Sequence, residues 1–280
     1  MAAINRVAVT GASGFIGRAT VAMLQAHGYR PIALGRNPAS LEGADAIINL
    51  RGEPISGRWS AKKKAAIAAS RIDGTARLVA NIAASPVKPQ VFISASAVGY
   101  YGDRGDEELL ESSPPGSDFL AGVCTRWEAA AQAATALGVR VVVLRFGIVL
   151  GHGGALAQMK PLFALGLGGP MGTGQQYLPW IHLDDLTSLF RLALENSQLA
   201  GAVNAVAPET VTNAQFARSL GAALRRPAVI PAPAFALRIV LGEFAETLLA
   251  SQRAIPAVAQ SAGFRWAHAQ LEPALHALVR

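Results

Sequence analysis

The sequence predicts an α/β protein with a doubly wound parallel sheet and a small, mostly helical C-terminal region. Apolar, β-branched runs alternate with helical patterns through the first half of the chain, as in sheets whose strands are joined by helices. The runs are apolar almost throughout, which is typical of strands buried on both faces. A glycine-rich turn follows the first run, the arrangement found in a Rossmann domain. We therefore expect a Rossmann domain over residues 1–150 and a substrate-binding region over residues 151–280.

The elements of this fold can be placed in order along the chain. We predict strands at residues 6–11, 30–36, 44–52, 90–96 and 139–150, and helices at residues 15–28, 60–85 and 118–137. A strand near residues 202–207 is expected to return to the main sheet, followed by a helix capped at Thr212 or Asn213. The chain after Pro227 is predicted to be mostly helical.

One connection is too short for the complete Rossmann topology. Only residues 37–43 separate the second predicted strand from the next, whereas a crossover helix and a strand need a dozen residues or more. In the strand order 3-2-1-4-5-6, strand 3 lies at an edge, so its loss leaves the centre of the sheet intact. We therefore predict that strand 3 is absent or vestigial.

Composition and charge exclude several classes of function. The net charge is +7, but the lysine run Lys62–Lys64 lies in a helical pattern and is interpreted as solvent-facing surface. No stretch reaches the roughly 18 uninterrupted apolar residues of a membrane span, and the first residues lack the features of a secretion signal. The single cysteine, Cys124, excludes an internal disulfide and fits a reducing compartment. We expect a cytoplasmic protein that binds a small molecule, with no nucleic-acid or membrane partner; a homodimer is left open.

The strongest chemical signal is the segment VTGASGFIGR at the junction of the first strand and helix. Gly11, Gly14 and Gly17 form a G-x-x-G-x-x-G pattern. In such turns the glycines permit a tight turn, a close approach to a pyrophosphate and close packing of helix on strand. The helix N-terminus adds N–H donors and a positive dipole. The segment predicts a dinucleotide site.

A basic residue after the second strand indicates which dinucleotide is bound. A site selective for NAD offers a carboxylate to the ribose 2′-hydroxyl, but the chain has Arg36 there and no carboxylate before Glu42. A guanidinium can hold a 2′-phosphate through two parallel hydrogen bonds, which favours NADP(H). Arg51 and Arg71 are further candidates for charge near the cofactor.

Longer motifs add a family resemblance that covers nearly the whole chain. The segments INLRGEPI (48–55), SASAVGYYGD (95–103), TRWEAAA (125–131) and LGLGGPMGTGQQYLPWIHLDDL (165–186) resemble those of atypical short-chain dehydrogenases/reductases known as epimerase-family proteins. The resemblance implies a Rossmann fold, NADP(H) binding and a C-terminal substrate domain. It implies these cofactor positions: Gly11, Ser13, Gly14, Phe15, Ile16, Gly17, Gly35, Arg36, Leu50, Arg51 and Arg71, with Ile148 beside the nicotinamide.

The catalytic pair of typical short-chain dehydrogenases is missing from the segment DFLAGVCTRWEAAA. Their Tyr-x-x-x-Lys pattern, counted back from Glu128, puts Leu120 and Cys124 at the Tyr and Lys positions, where neither can do that acid–base chemistry. Cys124 is interpreted as a small buried residue of the inner helix face. Ser96 and Tyr101 are the candidate catalytic residues, with Tyr100 adjoining; Tyr101 resembles the substrate-facing Tyr of extended short-chain dehydrogenases. A phenol of pKa near 10 needs an activator, so the alternative is that these residues shape a pocket without chemistry.

The remaining polar and aromatic motifs leave two functional hypotheses open. His182 and Asp185 are interpreted as a capping network, and the five histidines show no metal-ligand spacing. Trp180 and Tyr177 are candidates for the wall of a substrate cleft and equally for the core. The first hypothesis is an NADP(H)-dependent oxidoreductase or epimerase that acts on a small carbonyl, hydroxyl or sugar-like substrate. The second is a non-catalytic NADP(H)-binding sensor or regulatory protein.

Overall fold

The computed structural model describes residues 4–35, 38, 40–41 and 43–279. Its strands are β1 (Arg6–Thr10), β2 (Arg30–Leu34), β3 (Ala46–Asn49), β4 (Val91–Ala97), β5 (Glu108–Leu109), β6 (Arg140–Phe146), β7 (Ile148–Leu150), β8 (Trp180–His182), β9 (Gly201–Ala205) and β10 (Arg253–Ala254). Its α-helices are α1 (Phe15–Ala26), α2 (Ala61–Ala84), α3 (Phe119–Gln132), α4 (Gly154–Ala164), α5 (Leu183–Glu195), α6 (Asn213–Leu224), α7 (Ala234–Leu241), α8 (Phe244–Leu249), α9 (Ala257–Ser261) and α10 (Leu271–Val279). Short 3-10 helices span Val98–Tyr101 and Ala133–Leu137.

The main sheet confirms the predicted fold class. Six parallel strands lie in the order β2-β1-β3-β4-β6-β9. The first five strands have the Rossmann order without strand 3, and β9 adds a sixth strand beside β6. The described residues between β2 and β3 contain no strand. β2 therefore forms one edge of the sheet, and β9, contributed by the second half of the chain, forms the other.

Two helical layers bury the faces of this sheet. Val9, Ile48 and Leu144 lie on the face covered by α1 and α5, whereas Phe92 and Val143 lie on the face covered by α2. All five are nearly inaccessible to solvent, because alternate residues of a strand point to opposite faces and both faces are covered. The carboxyl ends of the parallel strands thus meet at one open edge, where ligands bind in such sheets.

The predicted strand over residues 139–150 is wrong in one respect, because it divides into β6 and β7 at Gly147. A Cβ at Gly147 would lie 2.7 Å from the carbonyl oxygen of Pro179, so the backbone turns there against the segment that leads into β8. β7 pairs with β8 in a separate two-stranded sheet, while β6 stays in the main sheet. This turn carries the chain from the Rossmann sheet into the C-terminal region.

The C-terminal region has its own hydrophobic core. Trp180, Phe216 and Leu275 are buried there, between β8, α6 and α10. Thr212 caps α6 in a capping box with Gln215, which agrees with the predicted helix start. β5 and β10 form a third, two-stranded sheet that the sequence did not predict. No helix among the described residues is long and apolar enough to cross a bilayer.

Candidate functional site

The glycine turn between β1 and α1 is closed by contacts that only glycine allows. Gly11 has a φ of +68°, and a Cβ on it would lie 2.9 Å from the carbonyl oxygen of Leu50. A Cβ on Gly17 would overlap the carbonyl oxygen of Gly11. The first turn of α1 is therefore pressed against the end of β1, which is the packing predicted for the third glycine.

The N-terminus of α1 presents backbone donors in the part of the chain that the structure describes. Gly14 is the N-cap residue, no side chain caps the helix, and its first turn holds no acidic residue. Arg18 donates to the carbonyl oxygen of Ser13 at 2.5 Å and so fixes the turn. The first N–H groups of a helix have no intrahelical acceptor and carry the positive end of its dipole. This arrangement suits a pyrophosphate.

A buried hydrogen-bond network holds the ends of β1 and β3 together. Thr10 Oγ1 donates to Asn49 Oδ1 at 2.7 Å and accepts the N–H of Leu50 at 3.1 Å. Asn49 Nδ2 and the indole N–H of Trp127 both donate to Thr75 Oγ1, each at 2.9 Å. The network fixes Leu50 against Gly11. Sequence reasoning missed it, although its signal was a polar residue at the end of each apolar strand.

A cavity of about 160 Å³ opens between the ends of β1 and β3 and the outer half of α2. Two arginines contribute to its lining, and their charge suits a phosphate group. The lining residues are Thr10, Pro38, Asn49, Arg51, Gly74, Arg77, Leu78, Ala80 and Asn81. Of the predicted cofactor positions, Arg51 lines this cavity. Gly35 is exposed and directly follows β2, and Arg36 lies outside the described residues.

Arg71 is held by the backbone of the loop that follows β3. Its Nη1 donates to the carbonyl oxygen of Glu53 at 2.9 Å, and its guanidinium lies 5.3 Å from the centre of the Trp127 ring. Burial lowers the pKa of Arg71 from its usual value. The structure thus gives Arg71 a role in shaping the loop, and its predicted contact with the cofactor remains a prediction.

Phe15, the first residue of α1, packs its ring against a second glycine-rich segment, which includes Gly151, Gly153 and Gly154. Cβ atoms on Gly151, Gly153 and Gly154 would each lie 2.6 to 2.9 Å from its ring. The GHGG segment after β7 therefore packs directly on the predicted pyrophosphate turn. The sequence did not predict that these glycines leave room for Phe15.

Ile148 lies at the start of β7, half-buried, and pairs with Trp180 of β8. Trp180 is fully buried in the C-terminal core, so the core, and not the cleft wall, is the correct one of its two predicted places. The reason is the turn at Gly147, which directs β7 and β8 into that core. Tyr177 is half-buried and lies 5.3 Å from the Arg253 guanidinium.

Ser96 belongs to a buried polar network at the open edge of the sheet. Ser96, Arg145 and Asn204 lie in register on β4, β6 and β9. Ser96 Oγ donates to Glu128 Oε1 at 2.6 Å. Glu128 also accepts two hydrogen bonds from Arg145, from Nε at 2.9 Å and from Nη2 at 2.8 Å. Burial alone would lower the pKa of the Arg145 guanidinium. Its hydrogen bonds and charge interactions with Glu128 and Tyr101 together have the larger effect, so the pKa of Arg145 is raised.

Tyr101 lies inside the same network, which corrects its predicted substrate-facing position. The side chain has no exposed surface, and its hydroxyl donates to Asn204 Oδ1 at 2.7 Å and accepts from Arg145 at 3.0 Å. Burial raises the pKa of Tyr101, against the opposing charge of Arg145. Tyr100, by contrast, is half-buried, and its ring centre lies 3.5 Å from the Arg145 guanidinium.

Leu120 and Cys124 occupy the first turns of α3, as counted from the sequence. Leu120 is half-buried and would lie 3.7 Å from a Cβ on Gly99, just beyond the end of β4. Cys124 is buried, and burial raises its pKa to about 12, so the thiol stays protonated at neutral pH. The structure confirms Cys124 as a small buried residue of α3.

The histidine segment WIHLDD forms the predicted capping network. His182 Nδ1 accepts the N–H of Asp184 at 3.2 Å, and Asp185 accepts the N–H groups of Ala267 and His268. The rings of His182 and His268 stack at 3.7 Å, with Asp184 nearby. These two histidines and Asp184 are close enough together to hold a cation, but the cap already uses the Nδ1 lone pair of His182. The group joins the C-terminal loop to the start of α5.

We expect this network to weaken as the pH falls. Burial, together with the neighbouring His268, lowers the pKa of His182, so the unfolded chain takes up this proton more readily than the folded protein. Neutral His182 therefore contributes its full stability at a pH above about 6.5, the pKa of histidine in the unfolded chain. This contribution is lost as the pH falls below that value. Thermal unfolding between pH 7.5 and 5 should show a falling midpoint. The midpoint of His182→Asn, which keeps a capping side chain, should fall less steeply; equal slopes would contradict this assignment.

Comparisons with known proteins agree with this geometry. The sequence model of the NAD dependent epimerase/dehydratase family matches residues 7–206, and that of a domain of unknown function, DUF1731, matches residues 232–278. The epimerase family protein SDR39U1 of Bos taurus is 40% identical, over 98% of this chain and 99% of the relative.

Two solved structures resemble the whole chain. The crystal structure of human epimerase family protein SDR39U1 with NADPH has 37% identity and a TM-score of 0.93, covering 98% of each chain. A nucleoside-diphosphate sugar epimerase from Corynebacterium glutamicum has 36% identity and a TM-score of 0.81, covering 99% of this chain and 58% of that one. With its glycine turn, its six-stranded sheet and these matches, the chain belongs to the NAD-dependent epimerase/dehydratase family.

Proposed function

We propose that the chain binds NADP(H), with the pyrophosphate at the turn from Gly11 to Gly17. The observation that carries the proposal is the N-terminus of α1, whose first turn offers backbone donors, holds no acidic residue and has no side-chain cap. The human relative crystallised with NADPH supports it, because its structure matches this chain from end to end.

Arginines at the adenosine end favour NADP(H) over NAD(H). Arg51 and Arg77 line the cavity beside the end of β3, and Arg36 follows β2 in the sequence. We infer that these cations receive the 2′-phosphate, since a guanidinium binds phosphate through paired, charge-assisted hydrogen bonds. Among the described residues, no carboxylate lines the cavity to compete with that phosphate.

We infer further that the chain is an oxidoreductase or epimerase acting on a small carbonyl or hydroxyl compound. The nicotinamide, when bound, supplies or accepts a hydride, so the protein needs to orient the substrate and move a proton. Of the two neighbouring phenols, Tyr100 is partly accessible, and its hydroxyl has no hydrogen-bond partner in the part of the chain that the structure describes. We assign the proton transfer to Tyr100, whose ring lies against the Arg145 guanidinium. Glu128 holds that guanidinium and also accepts a hydrogen bond from Ser96, which gives Ser96 a supporting role.

Paired tyrosine variants test this assignment. We expect NADPH oxidation with a panel of uncharged carbonyl compounds, followed by absorbance, to fall about 100-fold in Tyr100→Phe, the lower range for loss of a general acid. Tyr101→Phe, the matched control, should lower the unfolding midpoint, since it removes buried hydrogen bonds, and should retain most of the turnover. Equal turnover in Tyr100→Phe and the unmodified chain would contradict the assignment. Calorimetry with NADPH and NADH measures cofactor choice on the same samples.

A second function, a non-catalytic NADP(H)-binding sensor, is favoured by one observation. Ser96 and Tyr101 are both held by internal hydrogen bonds, and the positions of the usual catalytic pair hold Leu120 and Cys124. Tight binding of NADPH without turnover on any carbonyl or alcohol would favour the sensor. A homodimer and a cytoplasmic location remain proposals under either function.

A further inference from the structure

An apolar surface lies at the open edge of the sheet, beside Leu120, which occupies the position of the catalytic Tyr in typical short-chain dehydrogenases. Trp59 lies between two phenylalanines, with ring centres 5.2 Å from Phe119 and 5.7 Å from Phe244. Leu120 follows Phe119 at the start of α3. We call these four residues the aromatic wall. Trp59, Phe119 and Leu120 are only half-buried, so part of the wall is accessible.

The wall lies at the carboxyl end of the parallel strands, where ligands of open α/β sheets bind. Trp59 lies in the loop that follows β3, and Phe119 opens a helix that runs back from the carboxyl end of the strands. Leu120 approaches Gly99, just past β4. Ligands of open α/β sheets bind beyond these strand ends, so the wall borders the cleft.

The helix α7 extends the apolar surface. Arg58, next to Trp59, donates to the carbonyl oxygen of Ile239 at 2.9 Å, which joins α7 to the loop of the wall. None of the residues of α7 is buried, and Phe235, Ile239 and Val240 are each about two-thirds exposed. An exposed apolar surface of this kind commonly marks a place of binding.

Three cations beside the wall have acidic or carbonyl partners among the described residues, and one of them, Lys64, also lies over the Phe119 ring, 4.6 Å from its centre. Lys63 Nζ lies 2.8 Å from Glu53 Oε1, and Lys64 Nζ lies 2.7 Å from Glu243 Oε1. Arg58 is held by the carbonyl oxygen of Ile239. A nucleoside-diphosphate sugar brings two negative charges that require cations or backbone donors when they are desolvated. The surroundings of the wall thus favour an uncharged ligand.

We propose that the substrate is an uncharged, largely apolar carbonyl compound or alcohol whose aromatic or hydrocarbon group packs on the aromatic wall. This inference rests on the proposed function, because it assigns the substrate class of the same cleft. It differs from the substrate class in the name of the Corynebacterium glutamicum relative, a nucleoside-diphosphate sugar epimerase.

Binding to the full-length chain loaded with NADP⁺ tests the inference without requiring turnover. We expect 2-acetylnaphthalene, an uncharged aromatic ketone, to bind at least tenfold more tightly than UDP-glucose in calorimetry. Phe119→Ser should weaken binding of the ketone about tenfold, as expected for loss of a large apolar contact. Val87→Ser, which changes an exposed apolar side chain outside the cleft, serves as the control and should leave binding unchanged.

Fluorescence supplies a second measurement. The ketone should quench tryptophan emission in the unmodified chain, and the quenching should decrease in Trp59→Phe, which keeps the apolar character of the wall. Tighter binding of UDP-glucose, or ketone binding that Phe119→Ser and Trp59→Phe leave unchanged, would overturn the inference. NADPH is titrated separately. Failure to bind NADPH contradicts the proposed function, whereas NADPH uptake with a preference for UDP-glucose contradicts only the apolar substrate class.

Discussion

Glu128→Gln is expected to lower the free energy of unfolding by about 3–5 kcal/mol, the range for removing one partner of a buried ion pair. Arg145 has only 4% of its side chain exposed and makes two hydrogen bonds to Glu128. The substituted amide would keep the shape but leave the buried guanidinium without a counterion, and Ser96 would lose a charged acceptor. Urea unfolding followed by circular dichroism measures the difference.

An exposed ion pair supplies the control for this experiment. Arg238 and Glu246 form a pair with a similar 2.7 Å contact, but more than half of each side chain is exposed. Water and salt screen such a pair, so Glu246→Gln should leave the urea midpoint close to that of the unmodified chain. Equal losses of unfolding free energy in Glu128→Gln and Glu246→Gln would contradict the prediction that burial makes the Glu128–Arg145 pair the more important one for stability.

Gly17→Ala is expected to weaken NADPH binding about 1000-fold. A Cβ at this position overlaps the carbonyl oxygen of Gly11, so the first turn of α1 has to move away from the end of β1. Loss of two charge-assisted hydrogen bonds to the pyrophosphate, at about 1.5–3 kcal/mol each, corresponds to a loss of this size. Calorimetry with NADPH measures the affinity directly.

Gly122→Ala on α3 provides a matched control for this substitution. A Cβ at Gly122 meets nothing within 4 Å, and alanine favours a helix over glycine by about 1 kcal/mol. We expect unchanged affinity for NADPH and a slightly raised unfolding midpoint. Near-normal affinity in Gly17→Ala would contradict the placement of the pyrophosphate at this turn.

Local patterns were sufficient to predict the fold. The apolar runs that became β1, β3, β4 and β6 are buried on both faces, so their composition alone distinguishes them from surface strands. The missing strand 3 followed from chain length, because residues 37–43 are too few to form it. The glycine turn was recognisable because its spacing and its place between strand and helix occur together in the sequence.

The site was harder to predict because its side chains meet across long distances in sequence. Tyr101 was expected to face the substrate, but its hydroxyl bonds to Asn204, which arrives on β9 more than a hundred residues later. The pairing of Phe15 with the glycines of residues 151–154 depends likewise on two remote segments. The break at Gly147 was hidden because Phe146 on one side and Ile148 and Val149 on the other continue the apolar pattern of a single strand. No local pattern reports such contacts.

The position of β9 in the sequence determines when the main sheet can be completed during synthesis. Its partner β6 ends at Phe146, but β9 begins only at Gly201, after β7, β8 and two helices. Until residues 201–205 leave the ribosome, a nascent chain has β6 as an unpaired sheet edge, and Tyr101 and Arg145 lack Asn204. Unpaired edges invite pairing with other chains. The main sheet is therefore completed only when β9 is available, and until then the chain carries the exposed edge of β6.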